Sequence, residues 1–307
     1  MGTKIEQKET KEKKETKEKT KIRHIVCSGG GVTGLVFYGI LKETYKQNVW
    51  RYEDIETLYG TSVGSIILTL LSLEYEWSVI DDFIIKKPWK NVFKYNIYSI
   101  LDSIQQKGVF TIKVIEDMLL PFFKGKNMDE TITLLELYEK TKKELHIYAT
   151  ETNTNSLVDF SYKTHPNWRV IDVVFASCSI PIIFTPLIKG KQCFCDGSGK
   201  LHYPLVRCIE QNPNINMDEI LGIRQNMITN TQIYEGDEST LFDYIGHLMR
   251  KLIEDSKEET IDIDIKNEYI VSSTHVSLDD IIEFSTNQDL RMKLILDGKV
   301  IVDQQIP

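Results

Sequence analysis

Hydrophobic and polar positions change period in a regular order along the chain. From Ile22 the run Ile-Arg-His-Ile-Val-Cys-Ser has the composition of a short strand, and Leu35, Tyr38, Ile40, Leu41 and Tyr45 then recur at helical spacing. The alternation repeats at Thr57-Leu58-Tyr59, which predicts a strand, and at the apolar run Ile66 to Leu73, which predicts a helix. Glu144 to Thr150 predicts another strand, Glu151 to Asn155 a polar turn, and Leu157 to Tyr162 a hairpin-like return. Ala176 to Pro186 reads as a helix end of small residues, stopped by Pro181 and Pro186. Cys193-Phe194-Cys195 reads as a strand running into Asp196-Gly197. Strands alternating with helices predict an α/β fold, a mostly parallel central sheet covered by helices, in one domain from residue 22 to 307.

The glycines gather where strands give way to helices. Gly29-Gly30-Gly31-Val32-Thr33-Gly34 lies at the first such junction, where backbone N–H groups with no side chains in the way can approach a phosphate or a developing oxyanion. Gly60-Thr61-Ser62-Val63-Gly64 has the G-x-S-x-G pattern at the second, and its glycines let the chain turn sharply enough to hold a serine hydroxyl clear of the sheet. Ser62 is the candidate nucleophile, and Asp196, at a strand terminus before Gly197-Ser198-Gly199, is its candidate partner. Two other readings stay open on these residues. Gly29-x-Gly31-x-x-Gly34 also fits a dinucleotide fingerprint, with Glu53 and Asp54 at the spacing of the ribose-binding acid but inside the polar stretch Arg51 to Glu56. A conventional triad would draw its histidine from His202, His247 or His275, all of which follow Asp196.

Charge and composition narrow the partners. Residues 1 to 21 hold eight Lys and five Glu, so of the net charge of −8 the rest of the chain carries −11. Such a body has no concentrated positive stripe for nucleic acid, and the nearly apolar-free arm 1–21 is expected to be disordered. Met1-Gly2 is followed by Glu6 where an acylation signal has Ser or Thr. No apolar leader opens the chain and no stretch reaches the roughly 20 apolar residues of a spanning helix, so a cytoplasmic protein is expected. Five cysteines without a C-x-x-C pair predict free thiols and no zinc site; Cys193 and Cys195 are expected on opposite faces of their strand, as packing residues.

Taken in order, the glycine loop, the G-x-S-x-G turn, Ala176 to Pro186 and Asp196-Gly197 resemble the patatin-like acyl hydrolases over roughly residues 22 to 206. The departures are Thr33 for the usual Arg or Lys, Ser179 for Ala, Ser198 for Gly or Ala, and Tyr203 for the Asn common before Pro204. The resemblance implies a three-layer sandwich related to the α/β-hydrolases and a Ser62–Asp196 dyad. It also implies an oxyanion hole at Gly29, Gly30 and Gly31, with Gly34, Gly60, Gly64 and Gly197 as motif glycines, and no metal or other cofactor. A free aspartate with a pKa near 3.9 is a weak base, and burial against neighbours such as Phe194 is expected to raise it. The implied activity is hydrolysis of phospholipid or lysophospholipid esters, with transient contact at membrane surfaces. The apolar stripe Leu241 to Ile253 and the aromatic segment Trp77 to Tyr98 compete for the part of a lid or interfacial element. The rival reading is a catalytically silent lipid-binding or scaffolding protein of the same fold.

Overall fold

A computed structural model of the chain describes residues 20–94, 105–227, 244, 263–273 and 277–305. The arm up to residue 19, the stripe 241–253 apart from Tyr244, Tyr95, Tyr98, His247 and His275 lie outside the described residues. The strands are β1 His24–Cys27, β2 Thr57–Thr61, β3 Gly108–Phe110, β4 Glu144–Glu151, β5 Ser156–Phe160, β6 Ile182–Phe184, β7 Leu187–Lys189, β8 Gln192–Asp196, β9 Ile220–Met227 and β10 Asn267–Ser273. The helices are α1 Gly34–Lys46, α2 Val63–Ser72, α3 Trp77–Lys86, α4 Lys113–Gly125, α5 Leu134–Thr141, α6 Val170–Cys178, α7 Leu205–Gln211, α8 Leu278–Thr286 and α9 Gln288–Gln304.

The main sheet has the order β10-β9-β1-β2-β4-β8-β7, with β5 also on β4, and β3 pairs with β6 in a small second sheet. The β10, β9, β1, β2 and β4 pairings are parallel, whereas β5 and β8 run antiparallel to β4. The expected mostly parallel sheet is therefore present, with the hairpin return at β5. Side chains alternate across it as the period of two requires. Ile25, Cys27, Leu58, Leu145 and Ile147 enter the larger core, beneath α1, α2 and α6, while Val26, Tyr59 and Tyr148 enter a smaller one shared with Leu205 and Cys208 of α7. Helices thus cover both faces, in three layers. On β8, Cys193 and Cys195 do not face opposite ways. Residues two apart in a strand share a face, and both are half-buried, alternating with buried Phe194 and Asp196. All five cysteines are free.

Two long-range contacts fix α9, the last helix, against the rest of the molecule. Helices α1 and α9 touch backbone to backbone: a Cβ on Gly39 would lie 2.2 Å from the Ile295 carbonyl oxygen, and one on Gly298 2.3 Å from that of Val36. Buried Arg291 on α9 donates to the carbonyls of Phe284 (2.6 Å) and Ile85 (2.9 Å), tying the ends of α8 and α3 together. Among the described residues no helix is long and apolar enough to cross a membrane.

Candidate active site

The register of the sheet brings the two sequence motifs together. β2 pairs with β4 up to Thr61↔Tyr148, and β8 pairs with β4 from Ala149↔Asp196 onward. Because β5 occupies the opposite edge of β4 at these positions, β2 and β8 lie on one edge, end to end. Ser62 follows β2 and Asp196 closes β8, so both stand at that junction, at the carboxyl end of β2, where open α/β sheets place ligands.

Ser62 occupies the sharp turn the G-x-S-x-G pattern predicts. Its φ is +53° and its ψ −126°, a conformation that L-residues rarely adopt, and it is 4% exposed. The turn is held by named bonds. The Ser62 N–H donates to Ser177 Oγ (2.8 Å), whose O–H donates to the Tyr148 carbonyl (2.6 Å), and the Ser62 carbonyl accepts from Ser65 N–H and Oγ–H (2.8 and 2.6 Å). Gly64 is required by close approach, since a Cβ there would lie 2.6 Å from the carbonyl oxygens of both Cys27 and Ser28. Gly60, Gly34 and Gly197 are similarly crowded, by the Gly64–Ser65 backbone, by Val63 and by the Tyr148 carbonyl respectively.

Asp196 is 7% exposed, and its Oδ1 accepts the Ser198 N–H at 2.7 Å. Burial pushes its carboxyl above the usual carboxylate range, against the opposing pull of the Ser62 hydroxyl and of the Ser198 N–H and hydroxyl. Oδ2 is buried and accepts no hydrogen bond among the described residues.

The glycine loop leaves β1 beside these two residues. Ser28 anchors it, with Oγ donating to the Gly29 carbonyl and accepting the Gln225 N–H, both at 2.8 Å. Gly31 has φ +53°, a conformation suited to glycine, and begins a single 3-10 turn that leads into α1. The three glycine N–H groups of the loop are not equivalent. That of Gly29 donates to the His202 carbonyl (3.0 Å) and is thereby withdrawn from any ligand, whereas those of Gly30 and Gly31 have no acceptor among the described residues. Of the three glycines, two therefore offer backbone N–H groups that no described residue engages.

From Gly31 and Ser62 an apolar cavity of about 150 Å³ runs into the larger core. Its walls come from six parts of the chain, among them Leu35, Ile66, Ile84, Met118, Ile180 and Phe284, and among the described residues no charged side chain lines it. Trp77, Trp89 and Phe93 of the aromatic segment are wall residues of this cavity. Cys178 also lines it, 3.8 Å from Ser65 Oγ, and burial pushes its thiol pKa up, which keeps it protonated.

The dinucleotide assignment parts from this geometry. Glu53 and Asp54 form a 3-10 turn before β2 begins, at the opposite end of the strand from the glycine loop, and Asp54 pairs with Lys21 (2.7 Å). A ribose-binding acid must sit at the carboxyl end of the second strand, so the dinucleotide reading fails. The His202 ring packs against Gly29, where a Cβ would be 3.1 Å from its Nδ1. Ser177 and Cys178 lie in the segment Ala176 to Pro186, but nothing in that segment announced their contacts with Ser62 and Ser65, more than a hundred residues away.

The residues from 25 to 206 match the family model described as patatin-like phospholipase, and the chain belongs to that family of hydrolases acting on lipid esters. It is similar to an uncharacterized protein of Acanthamoeba polyphaga mimivirus, 26% identical over 94% of this chain and 95% of that one. It is also similar to a probable lipid hydrolase of Invertebrate iridescent virus 6, 28% identical over 59% of this chain and 61% of that protein. Among solved structures it resembles VipD from Legionella pneumophila, 15% identical with a TM-score of 0.49, covering 90% of this chain and 67% of that one.

Proposed function

We propose that the protein is a lipid acyl hydrolase of the phospholipase A or lysophospholipase type, working through Ser62 and Asp196 without a metal. The observation that carries this reading is the position of Ser62: a strained serine at the end of an apolar cavity, beside a buried aspartate whose basicity is raised. An acyl chain fills the cavity and sets its ester carbonyl between Ser62 and the glycine loop. Ser62 Oγ attacks the carbonyl carbon as its proton passes to Asp196. The oxyanion that forms accepts from the N–H groups of Gly30 and Gly31, each such donor being worth about 3 kcal/mol. Collapse of the intermediate breaks the ester C–O bond, and the leaving alcohol takes the proton from Asp196. Water then attacks the acyl-enzyme, gives its proton to Asp196 and releases the fatty acid, the proton returning to Ser62 Oγ. Entry of the chain expels water and raises the basicity of Asp196 further.

The test is fatty acid release from phospholipid vesicles in EDTA by wild type, Ser62→Ala and Asp196→Asn at equal folded concentration. Loss of release in both variants supports the dyad. A wild type as inert as its variants yet bound to the vesicles leaves the silent lipid-binding reading.

A further inference from the structure

We propose that the cationic segment Lys86 to Lys94, together with Lys107, docks the protein on anionic lipid surfaces; this names the partner of the site and rests on the lipid hydrolase reading. The first observation is charge. Between Asp82 and Glu116 the described residues include Lys86, Lys87, Lys90, Lys94, Lys107 and Lys113 and no carboxylate, the one acid of the stretch, Asp102, lying outside them, in a chain whose net charge is −8. At the edges of this stretch the lysines are neutralised, Lys86 by Asp82 (2.8 Å) and Lys113 by Asp117 (2.7 Å). Lys90, Lys94 and Lys107 are exposed, and no hydrogen bond or ion pair engages them among the described residues.

The second observation is that the same short segment has an inward face. Trp89 and Phe93 are buried and line the cavity that reaches Ser62, while Lys90, Asn91 and Lys94 around them are exposed. The ring of Phe93 lies 5.2 Å from that of Phe110 on β3, which begins directly after Lys107, so the two stretches of chain meet over the cavity wall. Lys87 adds its ammonium over the rings of Phe83 (4.4 Å) and Trp89 (5.2 Å). A solvated lysine face needs no such backing. Cations on one side of an acyl-binding wall match a surface with anionic headgroups outside and hydrocarbon within. An acidic protein would be matched by the charge but not by the cavity behind it. Each lysine near an anionic surface contributes roughly fivefold in partition, so three contribute on the order of a hundredfold.

The test uses the full chain, wild type and Lys90→Glu/Lys94→Glu/Lys107→Glu, sedimented with vesicles of phosphatidylcholine alone or with added phosphatidylserine, and assayed on a soluble short-chain ester. Wild type is expected to favour phosphatidylserine vesicles, less so as salt rises. The triple variant, which reverses three charges, is expected to lose at least about a hundredfold in that partition, with hydrolysis of the soluble ester unchanged. If the triple variant folds poorly, the three single Lys→Gln variants replace it, each expected to lose roughly fivefold. Equal sedimentation of wild type with both vesicles, or undiminished binding of the variants to phosphatidylserine, overturns the proposal; the latter would point to the Lys/Glu arm. A wild type that binds phosphatidylserine through these lysines but hydrolyses nothing defeats the hydrolase reading and leaves the docking surface standing.

Discussion

Replacing Ser177 by alanine tests how the strained turn at Ser62 is kept. The Ser177 side chain is wholly buried and makes two bonds, accepting the Ser62 N–H at 2.8 Å and donating to the Tyr148 carbonyl at 2.6 Å. Alanine would leave a buried donor and a buried acceptor without partners. Each such group costs about 1 to 3 kcal/mol, which makes a loss of about 2 to 6 kcal/mol in folding stability. The backbone conformation at Ser62 is itself unfavourable by about 1 to 3 kcal/mol. Without its N–H anchor the turn is therefore expected to relax, moving the hydroxyl from its place at the end of the cavity. A displacement of 1 Å at a reacting group lowers turnover by about a hundredfold. Urea denaturation followed by circular dichroism measures the first effect, and kcat on a soluble short-chain ester the second. Ser72→Ala is the control, since that buried hydroxyl makes one bond, to the Thr69 carbonyl within its own helix (2.7 Å). A Ser177→Ala protein within about 0.5 kcal/mol of wild type, the range of an ordinary surface change, and with normal kcat would show that the turn does not depend on this bond.

The charged groups supply three further expected outcomes. Asp196→Asn should abolish activity yet be at least as stable as wild type above the ordinary carboxylate range. With the folded pKa raised, stability falls as pH rises through it, and asparagine removes that burden; a lower melting temperature than wild type at neutral pH would contradict this. Ser198→Ala removes a hydroxyl that favours the Asp196 carboxylate, so the acid limb of kcat/KM should move to higher pH. An unmoved limb would show that the hydroxyl has no hold on the base. His146 stacks on Tyr59 (4.6 Å between rings) and bonds Asp159 and Glu144 (3.0 and 3.1 Å). Burial alone would lower its pKa, but the two carboxylates outweigh burial and raise it above 6.5. Its contribution should be complete below pH 6.5 and fade as pH rises through the folded pKa, and an NMR titration giving a value at or below 6.5 would refute the balance.

The strand-to-helix junctions and their glycines were legible because their signals are local: a change of period, a turn residue, a serine between two glycines. Ser62 and Asp196 could be paired from their motifs, but the way they come together could not be read, because it depends on β8 taking the edge of β4 where β2 ends, a register set by tertiary packing. The cavity escaped for a related reason. Its wall residues are spread from Gly31 to Phe284, and in any one helix an apolar stripe facing a cavity looks like one facing a core. The glycine loop shows a finer limit. Three consecutive glycines group together in sequence, with the N–H groups of Gly30 and Gly31 expected as donors, and the carbonyl of His202 supplies the physical reason that sets Gly29 apart. The misassigned faces of Cys193 and Cys195 came from a misapplied strand period, which the burial of Phe194 between them makes plain.

The contact between Gly39 and Gly298 bears on how the chain can be shortened. The stretch that matches the family model ends at residue 206, and a fragment cut there would keep the glycine loop, Ser62 and Asp196. It would lose β9, whose Ile223 carbonyl and Gln225 N–H bond the backbone and side chain of Ser28, and it would lose α9. Helix α1 grows directly out of the glycine loop, and its Gly39 is shaped to lie against α9 closer than any side chain permits. No solvent layer or detergent tail fills a groove of backbone-to-backbone depth as well as the helix it was cut for. The glycine loop and the Ser62 turn, though encoded in the first two thirds of the chain, are thus braced from β9 and from the last helix, and a fragment ending at residue 206 is expected to lose that support.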